Sequence, residues 1–432
     1  MREDKPIEHC GLCGVSRAEN VLERIYSGLH AQQHRGQEAA GVMLSDGTAC
    51  RLYRRNGLVD ELFGDLPADV RTSNPERAIA HVRYSTAGGM GVDNAQPLVV
   101  DIRGHHIGIA HNGTICNSVS LRKELQEKGV IFQTTSDTEI VLHLLARGLK
   151  ETDGDLWKGL EKALLRLRGA FCFLLMTHDH MAAVRDPHGF RPLNIGDFVD
   201  GGYIVASETI AFDVTGSQFL REVEPGEMVI WGPNNSMESR RFAPAQQRAH
   251  CIFEHVYFSR PGSYVFGDSV YQVRKAMGRQ LAREAPVDAD VVMPVPDSGM
   301  FAALGFAEQA GLPIDMGFTR NHYVGRTFID PGLVSRQLLV SRKLHPIAEA
   351  VRDKRICLVE DSIVRGSTSR ARIHTLREAG AKEIHMRISC PPHRYGCYFG
   401  IDFPERDKLI ANKMKLGDLA ASLRLDSLSC LS

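Results

Sequence analysis

The chain has 432 residues, 43% hydrophobic and 24% charged, and its 52 Lys and Arg balance 52 Asp and Glu. At about 100–200 residues per domain, this length predicts two or three separately cored domains, and the zero net charge argues against a general nucleic-acid or acidic-membrane surface. No apolar run approaches the ~20 residues that span a bilayer, and the charged stretch Met1 to His9 is no secretory signal, so cytoplasmic residence is expected.

The first candidate element in chain order is Cys10-Gly11-Leu12-Cys13-Gly14-Val15. A Cys-x-x-Cys pair can be a metal or redox site, but no second pair supplies further zinc ligands, and two small buried cysteines in a strand remain an equal reading. Asn20 to Gln33 and Asp137 to Lys150 carry apolar residues at helical spacing. Ala78 to Val82, Ile107 to Ala110, Phe171 to Met176 and Tyr203 to Ala206 read as strands. This mixture suits a layered α+β domain. Trp231 to Arg248, broken by Gly232-Pro233-Asn234-Asn235-Ser236 and Pro244, reads as a connector. Beyond it helix and strand alternate: helix over Ser269 to Glu284, strand Asp290 to Val295, helix Gly299 to Ala310, strand Arg355 to Val359, helix Ser369 to Ala379, strand Glu383 to Ser389. Such alternation predicts a parallel, doubly wound α/β sheet with its ligand at the carboxyl ends of the strands. Pro296-Asp297-Ser298 and Glu360-Asp361 both fall there.

The most informative run is Cys357 to Ser369. An apolar strand stops at two carboxylates, Glu360 and Asp361, and a short loop rich in glycine and hydroxyls, through Gly366-Ser367-Thr368-Ser369, then opens the helix-like segment Arg370 to Ala379, stopped by Gly380. Unpaired N–H groups and the positive dipole end at a helix start attract phosphate, and three hydroxyls add donors. Taken piecemeal, an acidic pair is also an ordinary solvated strand end and Gly-Ser-Thr an ordinary cap. As a whole, VEDSIVRGSTSR resembles the phosphoribosyl pyrophosphate (PRPP) motif of phosphoribosyltransferases, in the form found in glutamine PRPP amidotransferases.

Four ordered segments of the first half resemble the class II, or N-terminal-nucleophile, glutaminases: Gly28 to Gly41, His81 to Gly88, His111-Asn112-Gly113 and Ser136 to Glu139. Glu254 to Pro261, Pro294 to Gly299 and Tyr323 to Ile329 are similar to the amidotransferase family in particular. The resemblance implies an αββα four-layer glutaminase domain over residues 10–231, after a leader (1–9) that is removed. A connector (232–248), a phosphoribosyltransferase domain (249–412) and a tail (413–432) then follow. It implies that Cys10 becomes the first residue and the nucleophile. A thiol of ordinary pKa ~8.5 is scarcely ionised at neutral pH, whereas a freed α-amino group at ~7.7–8.0 can serve as its base.

By matched position, Arg83 would hold the α-carboxylate of glutamine, Asp137 its α-ammonium, with Thr86 beside them, and Asn112 and the Gly113 N–H would form the oxyanion hole. A strand-end ion pair, a helix N-cap and a plain turn are the bland readings of Arg83, Asp137 and Asn112-Gly113, and the capping role of Asp137 is expected in any case. Arg35 is expected to shape the loop around Cys10. In the second half, Ser298, Glu360 and Asp361 would surround Mg2+, and Glu360 and Asp361 would also face the ribose hydroxyls of PRPP. Arg365, Gly366, Ser367, Thr368 and Ser369 would hold the 5-phosphate, and Arg326, in a flap over Arg320 to Asp330, would cover the pyrophosphate.

The implied reaction converts glutamine, PRPP and water to 5-phosphoribosylamine, glutamate and pyrophosphate, the first committed step of purine synthesis, with ammonia passed internally from the Cys10 site. Purine nucleotides as inhibitors and a homo-oligomer, tetramer or dimer, come with the family. Three positions depart from it: Glu360 stands where aspartate is usual, Cys13 replaces a bulky apolar residue and His322 an arginine. Cys251 and Cys397 match two of the four ligands by which some members hold a [4Fe–4S] cluster, and four thiolates are the norm. Two other readings are a class II glutaminase serving another acceptor, and a PRPP- or nucleotide-binding regulator with a silent transferase fold.

Overall fold

The computed structural model describes residues 10–84, 91–321, 344–401 and 406–432. The leader, Thr86, Arg326, His322 and most of the expected flap lie outside the described residues. Among the described residues, no helix is long and apolar enough to cross a membrane.

The first unit stacks two antiparallel sheets face to face. One has seven strands in the order β11 (Gln218–Glu222), β9 (Asn194–Asp197), β10 (Tyr203–Ala206), β1 (Gly11–Ser16), β4 (Arg77–Arg83), β2 (Ala39–Ser45) and β3 (Cys50–Asn56). The other has six: β13 (Met237–Arg241), β12 (Glu227–Trp231), β8 (Met181–Arg185), β7 (Gly169–Met176), β6 (His105–Ile115) and β5 (Leu98–Ile102). Because successive side chains of a strand point to opposite faces, β7 sends Cys172, Leu174 and Met176 between the sheets, where they meet Leu12, Met43 and Ile79. Its alternate residues Phe171, Phe173 and Leu175 pack outward beneath the helices Thr138–Glu151 and Leu156–Leu164. Strand β1 divides likewise, Leu12 inward and Cys13 and Val15 outward to the helix Val21–Ala31. Helix, sheet, sheet and helix are the four expected layers. Burial on both faces explains why these strands read as unbroken apolar runs.

The expected connector begins too early. Residues Met237–Arg241 form β13, paired in register with β12 from Trp231↔Met237 to Glu227↔Arg241, and Phe242 and Ala243 are buried in the same core as Phe171. An edge strand with half its ladder and mostly exposed side chains carries no apolar alternation, so Gly232 to Ser236 is a hairpin loop rather than a linker; the Gly232 N–H donates to the Ser236 carbonyl at 3.0 Å.

The second unit is built on a parallel sheet in the order β16 (Val291–Pro294), β19 (Arg355–Glu360), β20 (Glu383–Ile388) and β21 (Ser427–Cys430). Cys357 and Val359 face the helices Val270–Glu284 and Met300–Ala310, while Ile356 and Leu358 face the helix Ser367–Glu378, so both sheet faces are covered as the alternation predicted. Strand β21 corrects the reading of 413–432 as a tail: it pairs with β20 from His385↔Ser427 to Ile388↔Cys430, and Leu419 and Leu423 just before it are buried. Ser-Leu-Ser-Cys gave no strand signal because it is short and borders solvent.

Candidate active site

Cys10 lies immediately before β1, the strand that sits between β10 and β4 in the middle of the seven-stranded sheet. That placement brings the end of β4 to it. Burial pushes the Cys10 thiol up to about 11, opposed by the Tyr84 backbone N–H, Arg83 and Arg35 and reinforced by Asp137. The same four groups therefore mark its surroundings. The Cys10 carbonyl accepts from Arg35 Nε at 3.3 Å, as expected of a residue that shapes this corner. With its amine tied up in a peptide bond, Cys10 is a protonated thiol at neutral pH.

Asn112 and Gly113 are not a turn but part of β6, towards its C-terminal end, opposite Cys172 and Phe171 of β7. Gly113 is required there: its φ is +142°, and a Cβ would stand 2.1 Å from the Ala170 carbonyl oxygen. Asn112 is fully buried, its Nδ2 lies 3.5 Å from Ser207 Oγ, and its Oδ1 has no partner among the described residues. Ser207 also accepts from the Leu12 N–H at 3.1 Å, which joins the Asn112 amide to β1. Sequence reasoning missed Ser207; it directly follows the strand read over Tyr203 to Ala206.

Asp137 occupies the N-cap position of Thr138–Glu151, yet its side chain makes no capping bond. This corrects the expected dual role. Its Oδ2 instead accepts from the Ile115 N–H at 2.9 Å, and its Oδ1 lies 3.6 Å from His111 Nδ1. Burial would raise its carboxyl, but His111 and the backbone N–H outweigh that and hold it below the usual range. It is thus an ionised carboxylate at the end of β6. Arg83, only 5% exposed, ends β4 with its guanidinium close enough to act on the Cys10 thiol. Cys10, Arg83, Asp137 and the Asn112-Gly113 segment of β6, scattered over 128 positions of sequence from Cys10 to Asp137, share one corner.

In the second unit the run from Glu360 to Ser369 is the strand, loop and helix start expected. Gly366 takes φ +78° at the helix N-cap, and a Cβ would lie 2.7 Å from Ile410 Cδ1. The Ile410 N–H donates to the Val364 carbonyl at 2.9 Å, bracing the loop from the segment after residue 406. Ser367, Thr368 and Ser369 fill the first helical turn, which begins two positions before the predicted start at Ser369. Arg365, Ser367 and Thr368 are half-buried at the loop's mouth, Ser369 is buried, and Ser298 is half-buried at the end of the neighbouring strand β16.

Glu360 is placed differently from expectation. Its carboxylate, 1% exposed, is ion-paired with Arg372 in the adjoining helix and lies 3.4 Å from Ser369 Oγ. To reach a metal it would have to exchange Arg372 for the ion. Asp361 is fully buried and accepts from Ser362 Oγ; His393 sits near it, pushed down to about 4 by burial against the pull of that carboxylate. Among the described residues no group of three His, Cys, Asp or Glu side chains is arranged around a metal position. A magnesium ion at a phosphate site takes one or two carboxylates and fills its shell with water and substrate oxygens; Asp361 and Ser298 are donors of that kind, and the Glu360 carboxylate would join them only by leaving Arg372. Cys251 and Cys397 do approach one another beside Arg191, but two thiols are half the set a [4Fe–4S] cluster needs.

A model of the glutamine amidotransferase domain matches residues 81–214. The amidophosphoribosyltransferase of Bacillus subtilis (strain 168) is 44% identical over 98% of this chain and 88% of its own length. The chain belongs to the amidophosphoribosyltransferase family. Amidophosphoribosyltransferase 2, chloroplastic, of Arabidopsis thaliana is also 44% identical, over all of this chain and 76% of its own. Among solved structures, the B. subtilis glutamine PRPP amidotransferase complexed with ADP and GMP superposes with a TM-score of 0.90 at 42% identity, covering 98% of this chain and 91% of that one. A structure described as the allosteric regulatory enzyme of purine biosynthesis gives 0.91 at 43% identity, covering 98% and 90%. As an amidophosphoribosyltransferase this chain is an enzyme whose two units unite a glutaminase with a phosphoribosyltransferase.

Proposed function

We propose that this chain converts glutamine, PRPP and water to 5-phosphoribosylamine, glutamate and pyrophosphate in de novo purine synthesis, and that Cys10, freed of residues 1–9, is its nucleophile. The observation that carries the reading is the convergence of Cys10, Arg83, Asp137 and the Asn112-Gly113 strand in one unit, joined to a phosphate-binding strand–loop–helix in the other.

Glutamine would enter with its α-carboxylate on Arg83 and its α-ammonium on Asp137, leaving its carboxamide at Cys10. The freed α-amine takes the thiol proton and the sulfur attacks the carboxamide carbon. The oxyanion that forms takes hydrogen bonds from Asn112 Nδ2 and the Gly113 N–H, the C–N bond breaks, and ammonia leaves with the amine's proton. Water then releases glutamate from the thioester. Ammonia is protonated in bulk water, so a dry passage between the units keeps it nucleophilic. It attacks C1 of PRPP, whose 5-phosphate the N–H groups and hydroxyls of Gly366 to Ser369 bind and whose ribose hydroxyls face Asp361. Magnesium, when bound at Asp361 and Ser298, would neutralise the departing pyrophosphate; Thr86 and Arg326 are assigned to glutamine and pyrophosphate by resemblance alone.

Purine nucleotides, present in the B. subtilis relative's structure as ADP and GMP, are proposed as ligands and inhibitors here, and a homotetramer or dimer as the assembly. Glutamate release from glutamine, measured with and without PRPP and Mg2+, tests the reading. PRPP-dependent release with equal amounts of pyrophosphate supports it; release indifferent to PRPP points to another acceptor.

A further inference from the structure

Between the two units lies a buried cluster of charge that the reaction does not itself require. Arg35 and Arg191 are each 1% exposed, and Glu208 and Glu254 are fully buried. Two guanidinium groups meet two carboxylates, and His34 Nε2 adds a contact to Glu208 Oε1 at 2.8 Å, so each buried carboxylate is compensated. The units exchange partners across the seam. Glu208 of the first unit accepts from the Arg260 N–H and Ser263 Oγ of the second, each at 2.9 Å. Glu254 of the second reaches back into the first: its Oε2 accepts from Arg35 Nη1 at 3.0 Å and its Oε1 from Arg35 Nη2 at 2.7 Å, the two-pronged geometry of a guanidinium–carboxylate pair. Ser259 Oγ at 2.8 Å and Arg191 Nη1 at 3.2 Å complete the Glu254 carboxylate. Burial works against its ionisation, and Arg35 and Arg191 outweigh burial.

The third nitrogen of Arg35 is the one that matters chemically. With one edge of the planar guanidinium fixed by Glu254 and a further contact from Nη1 to Glu208, Nε is aimed at the Cys10 carbonyl, 3.3 Å away. Once residues 1–9 are gone, nothing upstream restrains Cys10. Its amine and thiol are then carried on the Cα–C bond alone, and the carbonyl is the group by which the protein can fix the position and direction of that bond ahead of the β1 pairing. We propose that Glu254 is a positioning residue for glutamine hydrolysis: from the phosphoribosyl unit it sets Arg35, and through Arg35 it holds the base and nucleophile of Cys10 in attacking geometry. The inference rests on the reading of Cys10 given above. A second contact points the same way, since Gly400 of the second unit packs on the oxyanion strand, its Cβ position 3.3 Å from the Gly113 carbonyl carbon and 3.4 Å from Arg191 Nη2.

The test uses the processed enzyme with Glu254→Gln and Glu254→Asp, assayed with glutamine and separately with ammonia as the nitrogen donor, each with PRPP and Mg2+. Misplacing a reacting group by about an ångström costs up to ~10²-fold. The expected result is a fall in the glutamine-dependent kcat of about tenfold to a hundredfold for Glu254→Gln and a smaller fall for Glu254→Asp. The KM for glutamine, set by Arg83 and Asp137, and the ammonia-dependent rate should both stay within about twofold of the unaltered enzyme, and the pH at which iodoacetamide alkylation of Cys10 reaches half its maximal rate should move. Glu254→Gln strands two buried cations on one carboxylate and risks unfolding; Glu254→Asp keeps the charge and decides the matter in that event. A folded Glu254→Asp enzyme with unaltered glutamine kcat overturns the inference, as does one that loses glutamine- and ammonia-dependent rates together. Failure of the unaltered enzyme to release glutamate would instead overturn the reading on which the inference stands.

Discussion

The two candidate sites are assembled in opposite ways. The phosphate site is one continuous piece of chain, a buried strand ending in Glu360 and Asp361, a loop fixed by Gly366 and the first turn of Ser367–Glu378. The glutaminase site is drawn from β1, β4, β6 and the start of Thr138–Glu151, which are remote in sequence and meet because β1 lies beside β4 in one sheet and β6 stacks in the other. A contiguous site places its ligand groups by local geometry and survives as long as its own helix and strand do. A dispersed one depends on the packing of two sheets, and here on a carboxylate supplied by the neighbouring unit.

That contrast can be broken or sharpened by substitution. Cys10→Ser removes the thiol that the freed amine would activate, and glutamine-dependent synthesis should fall by about 10³-fold or more while the ammonia-dependent rate persists; equal loss of both would contradict the separation of sites. Asn112→Ala deletes one oxyanion donor and should cost ~10²–10³ in glutamine kcat, again sparing ammonia. On the other side, Gly366→Ala forces a methyl group against Ile410 at φ +78° and should raise the KM for PRPP by about tenfold, with stability lower by ~1–2 kcal/mol in thermal unfolding. It should leave PRPP-free glutaminase turnover unchanged. The smallest effect belongs to Arg372→Gln: releasing Glu360 from its ion pair is expected to alter the Mg2+ concentration for half-maximal rate by a few-fold, and no change at all would show that Glu360 stays out of the metal site.

The same contrast governs what the sequence disclosed. Strand, acidic pair and helix start were readable as neighbours because their roles are set within thirteen residues. The alternating elements around them followed from apolar spacing. In the first unit the long apolar runs announced β7 and β10, but nothing local indicated that Asn112 and Gly113 lie within a strand, or that Asp137 turns from its own helix to the Ile115 N–H. β13 and β21 escaped because edge or partly exposed strands lose the periodicity that burial imposes. Ser207, Glu208 and Glu254 reach partners 195, 173 and 219 residues away, Leu12 for the first and Arg35 for the other two, and a polar residue in sequence does not disclose whether it will be buried.

The central claim is that removing residues 1–9 converts an inert thiol at Cys10 into a nucleophile by giving it an adjacent amine. Iodoacetamide alkylation of Cys10, followed by mass spectrometry as a function of pH on the full-length chain and on protein beginning at Cys10, tests it most directly. In the full-length chain burial raises the thiol to about 11, so it is protonated below that pH and alkylation should climb roughly tenfold per pH unit from 7 to 10. In the processed protein the rate should level off near pH 8, where the free amine loses its proton, at ~7.7–8.0 in ordinary peptides. Identical profiles for the two proteins, with the processed one fully active on glutamine, would contradict the account.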